Sequence, residues 1–257
     1  MEKFNQSILV VHAHPDDTEA FCAGSLACLQ KEGWEIHIAT LTAGGMGGIG
    51  STEVETEKRR KEEARKAAEV IGGKYYCLGG RDGFLMDTPE IRVEVTALMR
   101  RIKPGVVMTH LPFDYHSDHR TTCNITEVAA LMTTLPNHPS EEPPLERTPL
   151  LYHTAPFTFS DTLGAPITPP HFFLNITEVM DKKMEMLAFH ESQIELMRVM
   201  HKMDNFFEEM AQYNVDLGKM VGCKYAEVYW QHLGGGFQKA PLLQEVLHKK
   251  IILKEGE

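Results

Sequence analysis

Two short segments hold the side chains best suited to chemistry. The first, His12-Ala13-His14-Pro15-Asp16-Asp17-Thr18-Glu19, places two imidazoles and two adjacent carboxylates within six residues, with Glu19 close behind. The second, Pro112-Phe113-Asp114-Tyr115-His116-Ser117-Asp118-His119, interleaves carboxylates and imidazoles again. Adjacent carboxylates repel, so such a concentration is costly unless something neutralises it. A divalent cation does that, with imidazole nitrogen and carboxylate oxygen as its ligands. A solvated turn with an aspartate as helix N-cap accounts for one aspartate of the first segment, but not for the pair beside His14. Helix capping by Ser117 or Asp118 with surface histidines accounts for the second segment taken alone. Two such segments on neighbouring strand ends argue for a metal site instead. His116 and His119 are three apart, so one can bind metal while the other faces a substrate.

The elements that position these segments are legible from hydrophobic patterning. Ser7 to His12 is a short, β-branched apolar run, as in a strand buried on both faces. Asp17 to Lys31 follows as a helix stopped at Gly33, and Glu35 to Leu41 as a second strand. A glycine-rich loop, Gly44 to Gly50, leads to a charged helix from about Thr52 to Ile71. Tyr75 to Leu78 is a third strand, Pro89 to Ile102 a helix with proline in its first turn, Val106 to His110 a fourth strand, and Asp118 to about Thr134 a helix. Leu150 to Thr154 and Phe172 to Ile176 read as further strands. Val179 to about Tyr213 reads as helical with one break. This alternation predicts an α/β fold, Rossmann-like and doubly wound, with a mainly parallel sheet and helices on both faces. The first and fourth strands are expected to be neighbours, at the switch point where such sheets collect ligands. Residues 1–257 are expected to form one domain: a core, 1–135, carrying the metal site, and a part, 136–257, completing the pocket.

The two segments resemble the LmbE/PIG-L family of zinc-dependent de-N-acetylases. That family's pattern is Ala-His-Pro-Asp-Asp at a strand end with a Glu close behind, then Pro-x-Asp-x-His-x-Asp-His. Here these stand as Ala13-His14-Pro15-Asp16-Asp17 with Glu19, and Pro112-x-Asp114-x-His116-x-Asp118-His119. Arg59/Arg60 with Glu63-Ala64, Gly80-Arg81-Asp82-Gly83, and Lys182-Lys183 through His190-x-Ser192-Gln193 extend the resemblance over about residues 7–230. It implies that His14, Asp17 and His119 bind a metal, zinc by default, though Fe(II) suits the same ligands. It further implies that Asp16 is the general base, that His116 stabilises the oxyanion, and that Asp118 fixes a histidine tautomer. The reaction it implies is removal of the acetyl group from an N-acetylglucosamine-type sugar or conjugate by a metal-activated water. Arg59 or Arg60 and, after the third strand, Arg81 and Asp82 are the expected anchors for sugar hydroxyls.

Other signals narrow the classes. The chain of 257 residues has 26 Lys and Arg against 36 Asp and Glu, a net charge of −10. That balance argues against nucleic acid and anionic membrane as partners. Five cysteines without Cys-x-x-Cys spacing, and an N-terminus, Met1 to Gln6, lacking the apolar core of a signal peptide, point to free thiols and the cytoplasm. A homo-oligomer is expected. Gly45 to Gly50 reads formally as Gly-x-Gly-x-x-Gly, which makes a dinucleotide-binding protein the alternative. The carboxylate that fingerprint requires about 20 residues on, at the next strand end, is missing. A non-catalytic metal-binding module is a further alternative, disfavoured because Asp16 and His116 are not needed to hold metal. His12 is expected to be a satisfied core histidine. Met197, Met200 and Met203 are expected to form core or a subunit contact.

Overall fold

Alternation along Ser7–His12 (β1) sends Ile8 and Val10 into one apolar cluster and Leu9 and Val11 into another. A strand buried on both faces must lie inside a sheet that is covered on both sides. A computed structural model of the chain, describing residues 4–253, shows that sheet. Its eight strands run in the order β3-β2-β1-β4-β5-β7-β6-β8. Here β2 is Glu35–Thr42, β3 Lys74–Gly80, β4 Val106–His110, β5 Leu150–Thr154, β6 Phe172–Asn175, β7 Ala226–Gln231 and β8 Ile251–Ile252. Strands β3, β2, β1, β4 and β5 pair in parallel, as expected, and β1 lies beside β4. The remaining pairs, β5 with β7, β7 with β6, and β6 with β8, are antiparallel. The sheet is therefore mixed, an α/β arrangement with helices on both faces.

Helices α2 (Ala23–Lys31), α3 (Glu53–Glu69) and α6 (Met180–Leu187) contribute Leu26, Ala67 and Met186 to the cluster holding Ile8 and Val10. Helices α4 (Pro89–Ile102) and α5 (Ser117–Met132) contribute Val95, Leu98, Ile125 and Ala129 to the opposite one. The ends of α3 and α4 are set locally. Thr52 and Glu55 form a capping box at α3, and Thr88 caps α4 ahead of Pro89.

Two helical spans divide more than their sequence suggests. Asp17 to Lys31 is two helices, α1 (Asp17–Phe21) and α2, separated at Cys22. The break exposes the first amides of α2 to Glu227, whose carboxylate accepts from Gly24 N at 2.9 Å and Ser25 N at 2.7 Å. Val179 to Tyr213 is broken twice rather than once, giving α6, α7 (Glu191–His201) and α8 (Phe206–Val221). The break before α7 turns His190 inward against Glu19, with Nε2 and Oε2 3.2 Å apart. A short helix α9 (Leu242–Val246) precedes β8. Among the described residues no helix is long and apolar enough to cross a membrane, and all five cysteines are unpaired. Met1 to Lys3 lie outside the described residues.

Candidate active site

Because β1 and β4 are adjacent and parallel, both segments rich in acids and histidines leave the sheet at the same edge. The chain turns sharply out of β1. Asp16 has φ 100°, ψ −23°, a conformation a non-glycine side chain rarely adopts and one that the surroundings must impose. His14 N donates to Asp17 Oδ2 at 2.7 Å, closing the turn. After β4, the His116 ring caps α5 by accepting the Asp118 amide on Nδ1 at 3.2 Å. That leaves the ring proton of neutral His116 on Nε2.

Asp17 is the hub. Its Oδ1 lies 3.3 Å from His119 Nε2, and its Oδ2 lies 3.4 Å from His14 Nδ1. His119 Nδ1 donates to Asp114 Oδ1 at 2.9 Å, so Nε2 is the nitrogen turned to the hub. His14 Nε2 is 3.3 Å from Asp82 Oδ1 and 3.4 Å from Asp118 Oδ2. Asp118 also accepts the Gly83 amide at 2.7 Å. The His110 ring stacks on His119 with centroids 3.9 Å apart, but its Nε2 already accepts the Ala13 amide at 2.9 Å. His12 is fully buried between Thr18 and Thr154, each at 3.1 Å, as a satisfied core histidine should be.

Electrostatics separate the two adjacent aspartates. Burial, then the charge of Asp17, push Asp16 up to about 7, against the pull of His190, Arg60 and His14. Burial would raise Asp17 too, but His119, His110 and His14 outweigh it and hold Asp17 well below the carboxylate range. Burial would lower His119, yet Asp17 and Asp114 lift it to about 9. Burial likewise opposes His14, which Asp118, Asp17 and Asp82 raise well above its usual value. His116 is lowered by burial and by its two histidine neighbours. The pocket floor is thus built to hold positive charge between carboxylates, as a cation site requires. The donor chemistry fits a metal: His14, His116 and His119 bring ligand nitrogens within 4.8 Å of one another, and Asp17 and His119 belong to a second such group with His110. The Ala13 amide already occupies His110 Nε2.

A cavity of about 250 Å³ opens over this floor. His14, Asp16, Asp17, Asp82, His116 and His119 line one side; Phe157, Leu196, Met197, Phe206 and Met210 form an apolar wall from the C-terminal part. Met197 is therefore a pocket residue rather than core. Of the expected anchors, Arg60 and Asp82 reach the cavity. Arg60 is 4% exposed and its Nη2 donates to Gln193 Oε1. Arg59 instead points outward to Glu63, Glu191 and Glu195. Arg81 is exposed, bonded to Glu53 at 2.9 Å and stacked over Phe84. Two glycines of the loop make room for Arg60: Gly44 has φ +67°, and a Cβ there or on Gly47 would collide with the guanidinium. Asp82 faces His14 rather than a ribose site, so the dinucleotide reading has no support. Asp114, His110, His190 and Gln193 were left without roles by the sequence. Asp114 lay in plain view in the second motif, whereas the place of Gln193 depends on a contact to Arg60 across 133 residues.

Comparison with known proteins bears on the family and the fold. Residues 9–130 match the family described as PIG-L, GlcNAc-PI de-N-acetylase. The diacetylchitobiose deacetylase of Thermococcus kodakarensis is 30% identical over 235 residues, 88% of this chain and 84% of that protein. The 4-oxalmesaconate hydratase of Pseudomonas putida is 27% identical over 187 residues, 69% of this chain and 70% of that one. The solved structure of N,N'-diacetylchitobiose deacetylase from Pyrococcus horikoshii superposes with a TM-score of 0.77, covering 92% of this chain and 87% of that one. At 22% identity that likeness speaks for the fold. The sequence similarity to the Thermococcus enzyme, by contrast, runs through most of both chains instead of stopping at the two motifs, and on that ground the chain belongs to the PIG-L (LmbE) family of de-N-acetylases.

Proposed function

We propose that this chain hydrolyses the acetamide of an N-acetylglucosamine-type sugar or conjugate, releasing acetate and a free amine. The observation that carries the reading is geometric: Asp17 lies 3.4 Å from His14 Nδ1 and 3.3 Å from His119 Nε2, and Asp16, the residue before it in the strained turn, lines the same cavity as His116. Asp17 is held ionised among three histidines, while Asp16, in the strained turn, is pushed up to about 7. One carboxylate is suited to hold a cation and the other to exchange a proton near neutrality.

In this reading His14, Asp17 and His119 hold a divalent ion, zinc by default. When bound, such an ion polarises the amide carbonyl and lowers the pKa of water at the site. Asp16 takes the proton of the attacking water and returns it to the leaving nitrogen. His116 donates from Nε2 to the developing oxyanion, as a positioned donor does in acyl transfer. Asp114 keeps His119 in the tautomer that offers Nε2. Arg60, with Gln193 and Asp82, binds sugar hydroxyls, and the apolar wall of Phe157, Met197, Phe206 and Met210 packs on the rest of the substrate. Both parts of the chain line the cavity, which supports the expectation that they act as one unit.

The test is a screen of N-acetylglucosamine, diacetylchitobiose and N-acetyl amines without a sugar ring, reading released amine and acetate. Amine release from the sugars, lost on chelation and restored by zinc, is expected. A hydration reaction releases no amine, so turnover without amine would overturn the reading.

A further inference from the structure

A second group of metal-binding side chains lies outside the pocket. Cys123 and Glu127 stand one turn apart on α5, His153 is on β5, and His232 directly follows β7. None of the four lines the cavity. His153 Nδ1 donates to the His110 carbonyl at 2.8 Å, so its Nε2 carries the lone pair. That Nε2 is 3.1 Å from His232 Nδ1 and 3.8 Å from Glu127 Oε1. His232 Nδ1 is 3.6 Å from the same oxygen. Three donor atoms thus form a triangle with sides of 3.1, 3.6 and 3.8 Å. Ligands at tetrahedral angles, with bonds of about 2.0–2.1 Å, stand about 3.3 Å apart. Cys123 Sγ is 3.5 Å from Glu127 Oε1 and 3.8 Å from His153 Nδ1, the nitrogen on the His110 side of the ring, and Cys123, Glu127 and His153 each offer a ligand atom within 4.8 Å of the other two.

The Gly234-Gly235-Gly236 run, which the active site does not use, fits this group. A Cβ on Gly234 would come 2.6 Å from His232 Nε2. Glycine there lets the backbone fold against that edge of the ring, with Nδ1 facing His153. Phe237 packs on the same ring at 4.3 Å. The geometry points to a second metal site: we propose that Cys123, Glu127, His153 and His232 bind a transition-metal ion of the zinc class. Cysteine, histidine and glutamate are all zinc ligands, and four protein ligands that close the coordination shell mark a structural rather than a catalytic site. On binding, the Cys123 proton leaves to solvent, and thiolate and carboxylate balance the dication. The ion would tie α5, β5 and the chain after β7 together behind the strand end that carries His110.

The test is metal stoichiometry on the full chain, stripped, reloaded with zinc, passed through gel filtration and measured by mass spectrometry of the metal. Two ions per chain are expected. His14→Ala should retain one, His232→Ala one, and the double variant none. Co(II) bound to His14→Ala should show thiolate-to-cobalt charge-transfer absorption, lost in His14→Ala/Cys123→Ser. His232 is partly exposed, so its replacement should not unfold the metal-free protein; Glu127→Gln is the second variant if it does. Stoichiometry unchanged by His232→Ala and by Glu127→Gln would overturn the proposal, as would absence of the charge-transfer band. A single ion lost with His232→Ala but kept in His14→Ala would uphold this site and overturn the proposed active-site ligands instead.

Discussion

Asp114 Oδ1 lies 2.9 Å from His119 Nδ1, and this bond decides which nitrogen of His119 faces Asp17. Histidines that bind metal are commonly oriented by a carboxylate on the other ring nitrogen, and losing that partner typically weakens binding 10–100-fold. Asp114→Ala should therefore lower metal affinity about 10–100-fold while Asp16 stays in place; the His116 amide, which donates to the same oxygen at 3.0 Å, loses that partner as well. Competition against a chelator of known affinity measures this. Unchanged affinity would assign Asp114 a purely structural role.

Asp16 is predicted to govern rate and not metal content. Asp16→Asn should keep the ion and lose on the order of 10²–10⁴ in kcat, the usual contribution of a general base. Asparagine tolerates positive φ better than most residues, so the turn should survive. The sign of the pH effect follows from the role: a base works only when ionised. Burial and Asp17 raise Asp16 to about 7, and a bound cation would favour its ionised form. The acidic limb of kcat/KM should therefore fall at or below about 7, dropping about tenfold per pH unit below it. The residual activity of Asp16→Asn should lack that limb. Full activity of wild type at pH 4, or metal loss in Asp16→Asn, would show the aspartates to be misassigned.

The three arginines expected as anchors should now separate. Arg60→Ala removes a buried donor aimed into the cavity and should lower kcat/KM about 10–100-fold, as hydrogen bonds from charged groups do. Arg81→Ala removes an exposed ion pair, worth about 0–1 kcal/mol; Arg59→Ala removes a half-exposed side chain that bonds to the buried Glu63. Neither lines the cavity, and both variants should leave kcat/KM within about twofold. A large loss with Arg81→Ala and none with Arg60→Ala would reverse the assignment.

What could be read from the sequence follows the distance between partners. His14, Asp16 and Asp17 share one turn, and His116 and His119 another, so their chemistry is legible as spacing. The adjacency of β1 and β4 follows from the strand–helix alternation. Arg59 and Arg60 are neighbours on one helix, and only the α3–α7 packing tells which faces inward. Gln193 is held to Arg60, and Ser192 to Glu63 at 2.5 Å, by contacts across more than a hundred residues. The antiparallel edge was obscure for another reason: β6 and β8 are short, with four and two residues, and period alone cannot order them. The break at Cys22 carries no proline and no capping side chain of its own. The amides that open the next helix find their acceptor in Glu227, some two hundred residues away.

That carboxylate yields the last prediction. Glu227 is fully buried and accepts from Gly24 N, Ser25 N, Ser25 Oγ, Tyr229 Oη and Lys183 Nζ. Lys183, equally buried, also donates to Ala20 O at 2.8 Å, in the helix that begins with Asp17. Removing one partner of such a pair leaves a buried charge alone, at a cost of about 3–5 kcal/mol. Lys183→Met should destabilise the chain by about that much. Glu227→Leu should cost at least as much, because the opening amides of α2 lose their acceptor as well. The double variant should be less destabilised than the two single losses added together, since neither charge remains. It should still fall short of wild type, because the Gly24 and Ser25 amides stay unpaired. Urea unfolding of the four proteins measures the coupling. A double variant as stable as wild type would show that the pair acts only as an ion pair and that Glu227 does not cap α2. Additive losses would show that Lys183 is held by Ala20 rather than by Glu227.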